Sequence, residues 1–284
     1  MKHILLLLAF IPALAFGQEE DFSLDKEYSI ATDGTLELSC SDAEVNITGS
    51  DRTTAHVIIS RKVATIGVVK GDRKFTVDVS EKDGDLIIRE KQTGNVSMSF
   101  GSYSEDYTID IEVPQDVSLR LEGDDGNLTV QRIDGAVAIN NDDGDVRLQE
   151  CQGSTFALTV DDGDIVMDQG QGTLSVNIDD GDITVKQGTF STINVSADDG
   201  DVSLVTSLTD EGEYRVAVND GEIDLQITEG GGAFDIRHDD TELDSSGPFT
   251  MVKSSDDRTQ LTLPNGDAKV DLSIDDGHVE LRAL

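Results

Sequence analysis

DDGDITV, residues 179–185, returns along the chain as DDGNLTV (124–130), DDGDVRL (142–148), DDGDIVM (161–167), DDGDVSL (198–204), NDGEIDL (219–225) and DDGHVEL (275–281). Taking the glycine as position zero, Gly126, Gly144, Gly163, Gly181, Gly200 and Gly221 are separated by 18, 19, 18, 19 and 21 residues. Two residues after zero stand Leu128, Val146, Ile165, Ile183, Val202 and Ile223, and four after stand Val130, Leu148, Met167, Val185, Leu204 and Leu225. Before zero, the apolar positions are −5 (Leu121, Ile139, Leu158, Val176, Val195, Val216) and −7 (Leu119, Val137, Phe156, Leu174, Ile193, Tyr214). Each unit therefore carries two short strands with one face apolar.

A fixed period with two strands per unit predicts an all-β, parallel β-solenoid with coils of about 18–21 residues, because such units bury their apolar faces only by stacking on neighbours. Between −3 and +2 strict alternation slips by one residue, which is what a corner requires. Asp-Gly and Asn-Gly tolerate left-handed backbone, so the zero residue is expected at positive φ. A second corner, rich in Gly and Gln, lies between units at CQGS, DQGQG, KQG, DEGE and EGGG.

The same frame places Thr241 and Thr259 at zero, then Gly277, with Leu243, Leu261 and Val279 two residues later. Upstream, Gly84 precedes Leu86 and Ile88, and Ala43 precedes Val45 and Ile47; the intervals 43–84 and 84–126 are each roughly two units long. The expectation is a single solenoid domain over residues 31–284, of about 13 coils and ~60 Å at ~4.8 Å per coil.

Residues 1–17 have the layout of a secretory signal peptide: Lys2, an apolar run from Ile4 to Phe16, then the acidic Glu19-Glu20-Asp21. Residues 18–30 form an N-terminal segment before the repeats. The apolar run is too short to span a bilayer, and no other segment is apolar enough to try, so no integral membrane segment is expected after cleavage. Removing residues 1–17 takes away one Lys and no acid, leaving 20 basic against 58 acidic residues and a formal charge of −38. That charge repels nucleic acid and anionic membrane surfaces. The expected location is outside the cytoplasm: periplasm, cell surface or medium.

The stretch IDIEVPQDVSLRLEGDDGNLTV (109–130), followed by strand, DDGD, strand units, resembles the exported bacterial adhesin-like proteins with β-strand repeats, a domain of unknown function. The resemblance runs from about Ile30 to Leu284 and is weakest over 54–104. It implies a parallel β-solenoid in the periplasm or at the cell surface and carries over no catalytic residues; an envelope protein or glycan is the expected partner. The expected role is a non-enzymatic interaction scaffold; the alternative is a Ca²⁺-binding acidic rod of the cell envelope.

Stacked coils would align three carboxylate columns: Asp142, Asp161, Asp179 and Asp198 at −2; Asp143, Asp162, Asp180 and Asp199 at −1; Asp145, Asp164, Asp182 and Asp201 at +1. Two unit charges ~4.8 Å apart repel by ~0.9 kcal/mol even in bulk water, so something must offset them. Either pairs of coils hold Ca²⁺ between carboxylate and backbone oxygens, as suits a hard cation, or the aspartates accept hydrogen bonds from corner N–H groups while solvent screens the rest. The Ca²⁺ β-roll signature GGxGxDxUx is absent. Paired aspartates could also serve a glycosidase, but coils this uniform supply no long loop or groove for a sugar, and a pair in every coil reads more simply as corner geometry. No cofactor is implied. His3, His56, His238 and His278 lack metal-ligand spacing, and Cys40 and Cys151, several coils apart, are expected to stay free thiols.

Overall fold

The inward positions set by the repeat are the core. The −7 column, from Leu119 and Val137 through Phe156, Leu174 and Ile193 to Tyr214, is at most 2% exposed, and the −5, +2 and +4 columns are likewise buried. A fully buried Leu, Ile or Val side chain contributes roughly 1.5–3 kcal/mol, so every layer adds several such contributions. The computed structural model describes residues 21–71, 74–94, 96–239 and 241–284, the side chains of 65–71 and 96–101 excepted. The expected signal peptide (1–17) and His3 lie outside the described residues.

Among the described residues the chain forms 22 strands. One end is built by β1 (Phe22–Ser29), β2 (Thr35–Ser39), β3 (Glu44–Ser50), β4 (Thr54–Gly71), β5 (Lys74–Lys82), β6 (Asp85–Thr93) and β7 (Val96–Pro114). The middle follows the repeat: β8 (Ser118–Asp125), β9 (Leu128–Gln131), β10 (Val137–Asp143), β11 (Val146–Gln149), β12 (Thr155–Asp162) and β13 (Ile165–Met167). It continues with β14 (Gly170–Asp180), β15 (Ile183–Asp199), β16 (Val202–Thr206) and β17 (Glu213–Ile227). The other end comprises β18 (Gly232–His238), β19 (Glu242–Ser246), β20 (Thr250–Ser255), β21 (Arg258–Leu263) and β22 (Ala268–Ala283).

Pre-corner strands pair in parallel with pre-corner strands, and post-corner with post-corner, in the register of the repeat. Val137 lies beside Leu119 and Phe156, and Val146 beside Leu128 and Ile165. At the corner, φ is +116° to +151° at Gly126, Gly144, Gly163, Gly181, Gly200, Gly221 and Gly277. A Cβ on Gly181 would also collide with the carbonyl oxygen of Gly163 one layer back.

The ends depart from chain order. The first coil, β2–β3, lies inside the stack, between β8–β9 on one side and β6 and β7 on the other. The last coil, β22, is inserted between β17 and the pair β18–β19, so Asp220 neighbours Asp276. Beyond these outer layers the pairing turns antiparallel: β5 on β6, β4 on β7 and β1 on β4 at one end, β21 on β18 and β20 on β21 at the other. Antiparallel hairpins with a bulge near Val252 and the neighbouring Lys253 blunt an edge that a bare parallel coil would leave open.

This topology corrects three expectations. Gly84 is not a corner: Asp83 (φ 54°) and Gly84 (φ 98°) form the two-residue turn of the β5–β6 hairpin, a role for which Asp-Gly is equally suited. Leu86 and Ile88 accordingly pair with Leu36 and Leu38 of the pre-corner sheet. Thr259 is not a corner either, since β21 runs antiparallel to β18 with Leu261 opposite Phe234. Among the described residues the parallel layers number ten, β6–β7 to β18–β19, not about 13, and nine spacings of ~4.8 Å give ~43 Å. The 43–126 interval was overcounted because the long β4–β7 arm and the β5–β6 hairpin use residues without adding coils.

Candidate functional site

The sequence-predicted carboxylates meet at one edge of the stack, in register. Asp125, Asp143, Asp162, Asp180, Asp199, Asp220 and Asp276 form one unbroken −1 column. The −2 residues Asp142, Asp161, Asp179 and Asp198 are exposed beside it.

The +1 column has a defined structural task. At each corner the N–H groups of positions zero and +2 donate to carbonyls of the next layer, as in Gly144 to Asp162 (2.8 Å) and Val146 to Asp164 (2.8 Å). The N–H of +1 points the opposite way and meets a side chain. Asp145 N–H donates to Asn127 Oδ1 (2.9 Å), Asp164 N–H to Asp145 Oδ1 (3.1 Å) and Asp182 N–H to Asp164 Oδ1 (3.0 Å). Asp201 N–H then donates to Asp182 Oδ1 (2.9 Å) and Glu222 N–H to Asp201 Oδ1 (2.9 Å). A side-chain oxygen thus replaces the backbone acceptor that the turn removes, and the corner amides are satisfied layer by layer.

The other two columns remain crowded. At Asp143, desolvation first, then the hydrogen bond and charge of Asp125 and the charges of Asp162 and Asp142, push the carboxyl above the ordinary aspartate range. Asp199 is raised by desolvation and then by Asp180 and Asp220, and Asp124 by desolvation and then by Asp142 and Asp125. Among the described residues no group of three or more His, Cys, Asp or Glu side chains is arranged to hold a metal ion. His56 pairs with Asp25 (2.8 Å) and His238 with Thr259 (3.1 Å); Cys40 and Cys151 are buried free thiols. Burial, then nearby carboxylates, pushes the Cys40 thiol up to about 12.

Several residues with clear roles carried no signal in the repeat. Asn141 occupies an inward position opposite Gly123; its Nδ2 donates to the corner carbonyl of Asp143 (2.8 Å). Arg61 is fully buried at the N-terminal end, ion-paired with Glu105, with its guanidinium 4.5 Å from the Phe75 ring centre. The third group is a surface. On the outer side of the pre-corner sheet, β10, β12, β14 and the second half of β15 present Ala138, Ala157, Ser175 and Asn194 at −6, and Asn140, Thr159, Asn177 and Ser196 at −4. At −8 stand Ala136, Thr155, Thr173 and Thr192. Across four layers of a chain with net charge −37, these twelve outward positions carry no charge. On the post-corner sheet the same layers display Arg147, Asp168 and Lys186.

These features define a parallel β-solenoid whose corners are tied layer to layer by the +1 side chains. The chain belongs to the Toastrack family, DUF4097, whose model matches residues 34–282. No curated protein matches it. Among solved structures it resembles a "putative cell adhesion protein" from Clostridium sporogenes, at 11% identity over 93% of this chain and 100% of that chain, TM-score 0.32. It also resembles a "putative adhesin" from Bacteroides fragilis (11% identity, 93% and 98% covered, TM-score 0.44) and one from Parabacteroides distasonis (14%, 93% and 98%, TM-score 0.40). Similarity at this level is too distant to bear on function. Among the described residues no helix is long and apolar enough to cross a membrane.

Proposed function

We propose that this chain is an exported, non-enzymatic interaction scaffold of the cell envelope, adhesin-like, that presents the outer side of its pre-corner sheet to an envelope protein or glycan. One observation carries the reading: the uncharged face of Ala, Ser, Thr and Asn columns on a chain of net charge −37. A surface without charge, rigidly spaced by the ladder, can approach a partner without the desolvation cost of burying ions. The export part rests on the layout of residues 1–17. The test is capture of defined envelope components and glycans on the purified chain, compared with Asn177→Glu and Asn194→Glu, which place charge on the face while leaving the core alone. Binding lost in both variants, at unchanged melting temperature, supports the face; binding that ignores both refutes it.

A second reading, Ca²⁺ along the −2 and −1 columns, is motivated by the in-register stacking of Asp125, Asp143, Asp162, Asp180 and Asp199. A cation would relieve their crowding by drawing together carboxylates that are not arranged as a metal site in this structure. The ladder already engages one oxygen each of Asp145, Asp164, Asp182 and Asp201, leaving the outer columns as ligands. Millimolar CaCl₂ that raises the melting temperature beyond an equal ionic strength of MgCl₂ supports it, since Ca²⁺ takes irregular carboxylate shells that Mg²⁺ does not; identical responses dismiss it.

A further inference from the structure

Toward the C-terminal end the uncharged face runs into a shallow hollow of about 510 Å³, where Ser175, Asn177, Asn194 and Ser196 are joined by Arg215 and Arg237. The layer order set by the inserted β22 creates it. In the register of the stack Arg215 on β17 lies beside Asp271 and Arg237 on β18 beside Ser273, so the two arginines stand diagonally across β22, which contributes Asp271 and Ser273 between them. Arg237 is exposed and has no hydrogen-bond or ion-pair partner among the described residues. Arg215 reaches Glu213 with Nη2 (3.1 Å) and Asp271 with Nε only at 3.9 Å, so Nη1 is unengaged. In the layer of Arg215 the −2 column also loses its charge, because Asn219 stands there and donates to Asp198 (3.1 Å).

Two guanidinium groups at one end of a hydroxyl- and amide-lined face suit a ligand with one carboxylate and many hydroxyls. Building on the proposed interaction face, we infer that this hollow binds an acidic glycan, a sugar chain bearing uronic acid units, with the carboxylate on Arg215 and Arg237 and the sugar hydroxyls along the Ser and Asn columns. Arginine's planar fork matches a carboxylate in two hydrogen bonds. Serine hydroxyls and asparagine amides both donate and accept, as sugar hydroxyls do. An acidic peptide fits less well: the backbone groups of this sheet are spent in the ladder, so it offers no strand edge, and the face has no apolar pockets for side chains. A second copy of the chain fits less well too, because the four uncharged layers cover only ~19 by ~17 Å, well short of the ~800 Å² per partner of a stable interface. The carboxylates nearest the ligand are Asp271, which lines the hollow between the arginines, and Glu213, paired with Arg215, so the acid must displace Arg215 from these partners, while Arg237 offers its fork directly. The acidic corners are screened beyond ~8 Å at physiological ionic strength.

The experiment is calorimetric titration of the full chain with oligogalacturonate and a glucuronate oligomer, with the methyl ester of the first and polyglutamate as controls. The expected result is binding of at least one uronate oligomer, about tenfold tighter than the ester and than polyglutamate, as charge-assisted bonds to a fork require. Arg237→Gln and Arg215→Gln should each remove about that tenfold advantage while leaving ester binding and the melting temperature unchanged. Equal binding of acid and ester, or indifference to both arginine variants, overturns the carboxylate site yet leaves the interaction face standing if Asn194→Glu still abolishes capture of another partner. Polyglutamate binding as tightly as the uronate overturns the glycan assignment, and binding of neither uronate oligomer overturns the inference as a whole.

Discussion

Replacing Gly181 by Val should cost far more than replacing the neighbouring Asp182 by Asn, although both sit in the same Asp-Asp-Gly-Asp corner. Gly181 has φ +142°, and an added Cβ would press on the carbonyl oxygen of Gly163, which is backbone and cannot swing away. Strain at such a φ costs about 1–3 kcal/mol. Relief of the clash would loosen the bonds from Gly181 N–H to Asp199 (3.1 Å) and from Gly163 N–H to Asp180 (3.0 Å). At about 0.5–1.5 kcal/mol for each bond, the total loss comes to about 2–6 kcal/mol. Asp182→Asn retains an Oδ1 for Asp201 N–H and removes one repelling charge, so its effect should stay within about 1 kcal/mol. The chain already contains that exchange, since Asn127 fills the +1 position one layer before Asp145 and accepts its N–H at 2.9 Å. Urea unfolding followed by circular dichroism gives the comparison, with amide exchange at Ile183 and Val202 locating the damage, because repeat stacks can open in parts. Equal midpoints for the two variants would refute the corner as the source of the glycine requirement.

The −1 and −2 columns repel in every layer, so the melting temperature should rise as NaCl is increased from ~0.1 M, where charge reaches ~10 Å, to ~1 M, where it reaches ~3 Å; a fall would contradict the stacking of the carboxylates. Asp143 and Asp199 have folded carboxyl pKa values above the ordinary 3.8, so the folded state holds their protons more tightly than the unfolded chain. Stability should therefore increase as pH falls through the range just above 3.8. Below the ordinary values the sign reverses, because Asp235, held low by Arg258, and Glu27, held low by Arg52, lose their ion pairs as they protonate. A thermal midpoint that declined steadily from neutrality downward would count against the crowded columns. Leu272→Ala, in the last coil by sequence, should cost about 2–5 kcal/mol, as much as Leu158→Ala in mid-stack, since both are buried side chains of interior layers; a markedly smaller loss at Leu272 would place β22 at a frayed end.

The coil, its corner and its buried columns were legible because each is a local consequence of residue order: alternation fixes which side chains turn inward, and Gly after Asp fixes where the chain bends. The +1 ladder was half legible. Aspartate acceptance of corner N–H groups was one of two readings of the carboxylates, but nothing in the string distinguishes +1 from −1 until the direction of each N–H is known. The end swaps were invisible to the period, because spacing along the chain says which residues are equivalent and not which equivalents touch. Gly84 misled for a physical reason: Asp-Gly serves a hairpin turn and a solenoid corner equally well. Arg215 and Arg237 are single residues in strands separated by a turn, and only the insertion of β22 brings them to the two sides of one hollow.

Corner identity nevertheless holds information on spatial order. A Cβ at position zero collides with the carbonyl of the layer before it, so glycine is demanded only where one tight corner rests on another. Gly126, Gly144, Gly163, Gly181, Gly200, Gly221 and Gly277 all meet that condition, and Gly277 meets it against Gly221, which is distant in sequence. Ala43 holds the zero position in the layer next to β6 and β7, whose connection follows a different path, and Thr241 holds it in the outermost parallel layer. Thr241 instead bends its hydroxyl to the carbonyls of Asp239 (2.7 Å) and Asp275 (3.3 Å), closing the stack. A glycine at zero thus marks a layer whose corner rests on the corner of another layer, whatever the chain order. By that criterion the 275–281 repeat rests on the Gly221 corner despite its late place in the sequence, which is the arrangement that sets β22 between β17, with Arg215, and β18, with Arg237.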